Sequence, residues 1–100
     1  MPDPVELSQC TGFQWDEGNA GKNWDLHRVS DSESEQVFFN QPRIMRRDLQ
    51  HSQNEPRYYL LGRTNAGRTL FVSFAVRGDL IRVISAREMN RKEGRRYERA

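Results

Sequence analysis

Apolar positions follow two different periods along this chain, and the change between them predicts its elements. From residue 57 onward they run together or alternate as β-formers do. The segments are Arg57-Tyr58-Tyr59-Leu60-Leu61-Gly62-Arg63, then Thr69-Leu70-Phe71-Val72-Ser73-Phe74-Ala75-Val76-Arg77, then Leu80 to Arg87. Runs rich in branched and aromatic residues and bounded by turn signals predict strands; Asn65-Ala66-Gly67 and Gly78-Asp79 are those signals, the second a two-residue hairpin turn. With that turn, Arg77 faces Leu80, Ala75 faces Arg82, Ser73 faces Ile84 and Phe71 faces Ala86, all on one side of the sheet. Leu70, Val72, Phe74, Val76, Ile81 and Val83 fall on the other side, which reads as the core.

The first half reads mostly with helical spacing. Residues 1–11 hold two prolines and no clear period, and read as a loose N-terminal arm ahead of a single domain over 12–100. Phe13-Gln14-Trp15 suits a short strand. Asp16 is placed to cap a helix ending near Arg28, with Ala20, Asn23, Trp24 and His27 on one side. Gly18 and Gly21 weaken it by about 1 kcal/mol each relative to alanine. Ser30 with Glu33 makes a capping box for a second helix over 31–39, whose inner side is Ser34, Val37 and Phe38. Residues 43–47 suit a further strand, and Asn90 with Glu93 caps a last short helix that must dock on the sheet to persist. The order predicts an α+β domain: a compact antiparallel β-sheet of about four strands, two N-terminal helices and a short C-terminal helix.

Composition narrows the function classes. The chain has 100 residues, 35% of them hydrophobic, 10% aromatic and 30% charged. That is lean for a core, but the aromatic content argues against a disordered chain. No apolar run is long enough for a membrane span, and the N-terminus lacks the pattern of a signal peptide, so a cytoplasmic protein without a membrane role is expected. One cysteine, Cys10, and two histidines leave no disulfide framework and no expected metal site or other cofactor.

Charge is more telling. The net charge of +2 hides residues 1–40, with two basic and eight acidic side chains (net −6), and residues 41–100, with fourteen basic and six acidic (net +8). Fourteen of the sixteen cationic residues are arginine, whose planar fork matches phosphate and stacks on bases. Interleaved with Tyr58, Tyr59 and Tyr97, such a half suits an RNA-facing surface. Arg77 and Arg82 are diagonal neighbours about 7–8 Å apart at the backbone. They form either a phosphate clamp or a surface pair salt-bridged to helix carboxylates. Metal-free RNA cleavage needs one group to take the 2′-hydroxyl proton, one to protonate the 5′-oxygen, and cations for the phosphorane. His27, His51, Glu93 and Tyr97 are the titratable candidates, although His51 lies in a polar loop and reads as solvated, and His27 taken alone reads as a capping or packing residue. The acidic first forty residues are expected to keep clear of the RNA face.

Several segments taken together resemble the BrnT-type ribonuclease toxins: Phe13-Gln14-Trp15-Asp16-Glu17, Lys22-Asn23, His27, Val29-Ser30, Val37-Phe38, Leu61-Gly62-Arg63, Gly67 to Val72, Arg77, and Ile81 to Arg87 with Glu93 and Tyr97. The resemblance implies a RelE-like fold and the toxin of a bacterial type II toxin–antitoxin pair, an endoribonuclease that cleaves RNA without a metal and arrests growth. It further implies a cognate BrnA-like antitoxin with a ribbon-helix-helix region, operator DNA being bound only through that complex. Carried onto this chain, the catalytic residues are His27, Arg63, Arg77, Arg82 and Glu93, with Arg68, Arg87, Arg95 and Tyr97 as RNA contacts. The family usually shows Lys-His-Gly where this chain has Leu26-His27-Arg28, which suggests a different helix end here. That departure motivates an alternative: a catalytically degenerate toxin fold that only pairs with its antitoxin or DNA-binding partner.

Overall fold

The computed structural model describes residues 4–52 and 54–100. One sheet carries β1 (Gly12–Phe13), β2 (Ile44–Arg47), β3 (Tyr58–Arg63), β4 (Thr69–Arg77) and β5 (Leu80–Glu88) in the order β1-β5-β4-β3-β2. The helices are α1 (Lys22–His27), α2 (Asp31–Gln36) and α3 (Arg91–Glu98). Strands β2 to β5 form the expected antiparallel meander. The expectation of about four antiparallel strands is corrected by β1, which runs parallel to β5 with Gly12 beside Leu80 and Phe13 beside Ile81. The sheet is therefore five-stranded and mixed. The short strand expected at 13–15 stands at Gly12–Phe13, and its parallel partner β5 lies far along the chain, where no local period points to it.

The β4–β5 hairpin begins in the predicted register, Arg77 opposite Leu80 and Ala75 opposite Arg82. It then slips. A bulge past Phe74–Val83 puts Ser73 opposite Ser85 and Phe71 opposite Arg87, rather than opposite Ile84 and Ala86. One extra residue reverses the facing of everything beyond it. Ala86 becomes part of the core, and Arg87 comes onto the same side as Phe71.

The inner side of the sheet carries Leu60, Leu70, Val72, Phe74, Ile81 and Val83, packed on Val29, Val37 and Phe38 from the helical half. Phe13, Phe38 and Phe74 meet edge to face, with centroids 5.4 and 5.0 Å apart. Gly62 is required where α2 runs out onto β3: a Cβ there would lie 2.8 Å from Leu60 Cδ2 and 3.1 Å from the Val37 carbonyl oxygen. Both predicted capping boxes are present, Ser30 with Glu33 and Asn90 with Glu93. Within residues 1–11, Val5, Leu7 and Cys10 pack on the core, and Thr11 N donates to Asp79 O at 2.7 Å.

The first helix is shorter than its pattern predicts. Asp16 closes a turn rather than a helix, its Oδ1 accepting from Gly18 N at 2.8 Å, and Gly21, at φ +72°, separates that turn from α1. Asn19, in the turn, and Asn23, on the buried side of α1, both serve the outer edge of β5. Asn19 Nδ2 donates to Val83 O at 2.9 Å, and Asn23 Oδ1 accepts from Ala86 N at 3.0 Å. Their amides complete an edge that β1 leaves open.

Arg28 ends α1 in the left-handed conformation, at φ +56°. Glycine adopts that geometry without the Cβ penalty, so the helix turns as a glycine would allow, and the different ending suggested by Arg28 is corrected. Arg28→Gly is accordingly expected to stabilise the fold by about 0.5–1 kcal/mol. The exposed stacking of Arg28 on Trp24, 5.5 Å from the ring centroid, offsets part of the gain. A raised urea midpoint at unchanged slope checks it.

No helix among the described residues is long and apolar enough to cross a membrane.

Candidate nucleic-acid interface

The outer side of the sheet carries the arginines. Register places Arg46, Tyr59, Leu61, Arg63, Phe71, Ser73, Ala75, Arg77, Arg82 and Arg87 there, with α3 lying over β3 at one end. Tyr59 and Phe71 stack at 5.2 Å, with Arg96 5.7 Å from the Tyr59 centroid and Arg87 4.4 Å from that of Phe71. This alternation of guanidinium planes and rings was visible as composition but not as an arrangement, because the bulge decides which side Arg87 takes.

The candidate residues fall into three groups. Arg77 and Arg82 share one end of the outer face, as the hairpin predicts. Each meets a carboxylate there. Arg77 forks onto Glu55 at 2.9 and 3.2 Å, and Arg82 forks onto Asp16 at 2.8 and 3.1 Å while also reaching Gln14 Oε1. In the free chain both arginines are bridged to carboxylates, but these stand on a turn (Asp16) and on the segment between β2 and β3 (Glu55) rather than on helices as expected. Asp16 also corrects the expectation that the acidic first forty residues keep clear of this face. Charge counts by segment missed it because residues 14–16 run along β5, so acidic sequence borders basic strand. The Arg82 fork holds the Asp16 carboxyl below the usual carboxylate range, aided by the Gly18 N–H, and the Arg77 fork does the same to Glu55.

The second group lies at the other end of the same face. Glu93 accepts both nitrogens of Arg87 at 2.8 and 2.9 Å, which holds its carboxyl low against the opposing effect of burial. Tyr97 is buried, its hydroxyl donating to Pro42 O at 2.7 Å, and burial raises its pKa. Arg63 ends β3 exposed, and its charge acts on Tyr97. Arg95 is exposed on α3.

The third group is a structural junction. Arg68 donates to the carbonyls of Arg28 at 2.7 Å and His27 at 3.4 Å, to Glu33 at 3.2 Å and to Glu88 at 2.9 Å. Its guanidinium ties the α1–α2 turn to the ends of β4 and β5. His27 itself is exposed, and its imidazole makes no hydrogen bond to the other candidates among the described residues. Sequence spacing could not show that Arg68 stands beside His27, 41 positions away.

These pairs carry a pH signature. Burial pushes Glu33 up, but the Ser30 N–H and Arg68 outweigh it and lower its pKa, while Arg87 lowers that of Glu93. A lowered carboxylate contributes stability that is fully present above its unfolded value, near about 4.3, and is lost as pH falls through the folded value. The melting temperature is expected to hold from neutrality to about pH 5 and to fall below about pH 4.3, with a shallower fall in Glu93→Gln. Thermal unfolding followed against pH checks it.

No curated protein matches the chain. The sequence model of the family described as "Ribonuclease toxin, BrnT, of type II toxin-antitoxin system" matches residues 15–93, spanning β5, α1, the outer-face arginines and Glu93. By that match the chain belongs to the BrnT family: it is a ribonuclease toxin of a type II toxin–antitoxin system, with RNA as its substrate and an antitoxin as its partner.

Proposed function

We propose that the outer face of the sheet is the RNA-binding and cleaving surface of this toxin, and that cleavage needs no metal. The observation that carries this reading is the gathering of arginine forks and stacked rings on one side of the sheet: Arg77 with Arg82 at one end, Arg87 and Arg96 over Phe71 and Tyr59 at the other. About 20 Å of strand separates Phe71 from Arg77, long enough for several nucleotides of single-stranded RNA. Bases stack on the Tyr59–Phe71 end, with Arg63, Arg87 and Arg95 meeting the backbone and Glu93 and Tyr97 holding that end in place. The scissile phosphate sits at Arg77 and Arg82, whose forks neutralise the charge a metal would otherwise meet.

Asp16 and Glu55 hold these two forks in the absence of RNA. Arg82 is 13% exposed and Asp16 54%, so the guanidinium is fixed while its partner stands in water. Because Asp16 is the solvent-facing partner, a phosphate arriving from solvent competes directly with its carboxylate for the fixed fork. His27 and Arg68 mark the far end of β4, where His27 contacts the RNA beyond the stacked bases.

The finer relationships follow the same reading: a RelE-like fold, cytoplasmic action, a BrnA-like antitoxin with a ribbon-helix-helix region, and operator DNA bound through the complex. An acidic antitoxin segment over the outer face accounts for neutralisation, and its affinity should fall steeply with salt.

Induced expression of the lone chain in a bacterial host tests the function. Growth arrest with loss of total RNA is expected, and the purified chain should cut RNA equally in the presence of a chelator. Normal growth with soluble, folded protein and intact RNA would overturn the reading, and activity abolished by the chelator would overturn its metal-free part.

A further inference from the structure

Resting on the reading of Arg77 and Arg82 as the phosphate site, one step is still without groups to perform it: the exchange of protons at the cleaved bond. Glu93 is forked onto Arg87, and His27 is tied through its carbonyl to Arg68 at the far end of β4. The residues that border Arg77 are different ones. An open polar pocket of about 570 Å³ adjoins it, lined by Gln50, His51, Asn54, Glu55, Arg57 and Arg77. That volume is in the range of sites that hold a nucleotide-sized ligand.

The pocket is assembled with order. The segment between β2 and β3 is closed by Asp48 N donating to Arg57 O at 2.8 Å and by Arg57 N donating to Ser52 Oγ at 3.0 Å. Ser52 Oγ in turn donates to the Asp48 carbonyl. Within this closed segment the His51 ring meets Asp48 through Nδ1, 2.9 Å from Oδ2. A carboxylate on one ring nitrogen fixes the ring and leaves Nε2 to exchange a proton with a ligand. Glu55, in the same pocket, takes both forks of Arg77. The charged groups facing this pair are Asp48 from its own segment, Arg57 at the start of β3, Arg77 from β4 and Arg82 from β5, with Asp16 beyond them.

We propose that Glu55 and His51 are the general base and general acid of RNA cleavage in this toxin. The scissile phosphate takes the Arg77 fork, and this frees the Glu55 carboxylate. Glu55 accepts the proton of the 2′-hydroxyl as its oxygen attacks phosphorus. The bond from phosphorus to the 5′-oxygen breaks, and His51, protonated at Nε2, gives that oxygen its proton. One product ends in a 2′,3′-cyclic phosphate and the other begins with a 5′-hydroxyl. One proton is taken and one given, and both groups reset by exchange with water. Arg77, Arg57 and Arg82 meet the charge on the five-coordinate phosphorus. Glu55 suits the base role by position: its carboxylate borders the fork that takes the phosphate, and release from Arg77 removes the contact that holds its pKa low.

The test uses the whole chain and two substrates. One is a single-stranded RNA; the other is the same RNA with sulfur in place of the scissile 5′-oxygen, whose thiolate leaves without a proton. Glu55→Gln is expected to lose about 10²–10³-fold in kcat/KM on both substrates, together with the acid limb of the pH profile. His51→Gln is expected to lose as much on the RNA, but to cut the thio substrate within about tenfold of wild type. Equal losses on both substrates for His51→Gln would overturn the acid role. If Arg82→Ala is inactive while both pocket variants retain wild-type rates and pH limbs, the inference fails and the arginine site stands. If Arg82→Ala also cuts RNA at the wild-type rate, the arginine reading fails and takes the inference with it. Melting temperatures of all variants separate loss of chemistry from loss of fold.

Discussion

Arg82→Ala is expected to lower kcat/KM for RNA cleavage by about 10²–10³-fold while leaving the chain folded, as befits loss of a fork that meets transition-state charge. The side chain lies in the face of β5, held by Asp16 and Gln14. Removing it frees an exposed carboxylate and leaves no buried charge behind, so the stability cost is small. A further consequence is electrostatic. With Arg82 gone, Asp16 stands unpaired beside the phosphate path and repels RNA, so KM rises as well as kcat falling. Steady-state kinetics and thermal unfolding of the same preparation separate the two effects. A folded Arg82→Ala chain with undiminished cleavage would remove this residue from the site.

The largest stability effect is expected at Phe74. The residue is fully buried at the centre of β4. Its ring meets Phe38 edge to face at 5.0 Å and Tyr58 at 5.6 Å, so it joins the helical half of the core to the sheet. Phe74→Ala removes that contact and leaves a cavity between layers, a cost of about 3–5 kcal/mol. For a domain of this size that is a large part of the whole stability, about 5–15 kcal/mol in small proteins. Chemical unfolding at neutral pH measures it. A loss under about 1 kcal/mol would mean that the helices close onto the sheet without this ring.

How much of this was legible in the sequence depends on how local each feature is. The two long strands and both capping boxes depend on residues within a few positions of each other, and they stand where the pattern puts them. The inner face follows for the same reason, since strand alternation carries Leu70, Val72 and Phe74 to one side. Three features depend on distant partners and were not legible. The bulge past Phe74 adds a residue that no composition rule marks, and it alone decides that Arg87 joins Phe71. The amides of Asn19 and Asn23 bond the open edge of β5, more than sixty positions away, which no helical spacing shows. Asp16 reads as a helix cap because nothing nearby announces Arg82, 66 positions on.

The candidate site shows the same division. Arg77 with Arg82 could be paired by counting along one hairpin. Arg68 could not be, because its partners come from the α1–α2 turn, α2 and β5 at once. His51 read as solvated from its polar loop. Its ring is indeed exposed, yet the turns that close the loop bring it to the same pocket as Arg77.

The central claim is that RNA lies along the outer face of the sheet. The most direct measurement is amide chemical-shift mapping of the labelled chain with a single-stranded RNA carrying 2′-deoxy sugars, so that it binds without being cut. Shifts are expected at Tyr59, Phe71, Ser73, Ala75, Arg77, Arg82 and Arg87, weakening together as salt rises. Shifts confined to the helical side, at α1 and α2, with the outer face unmoved, would contradict the account.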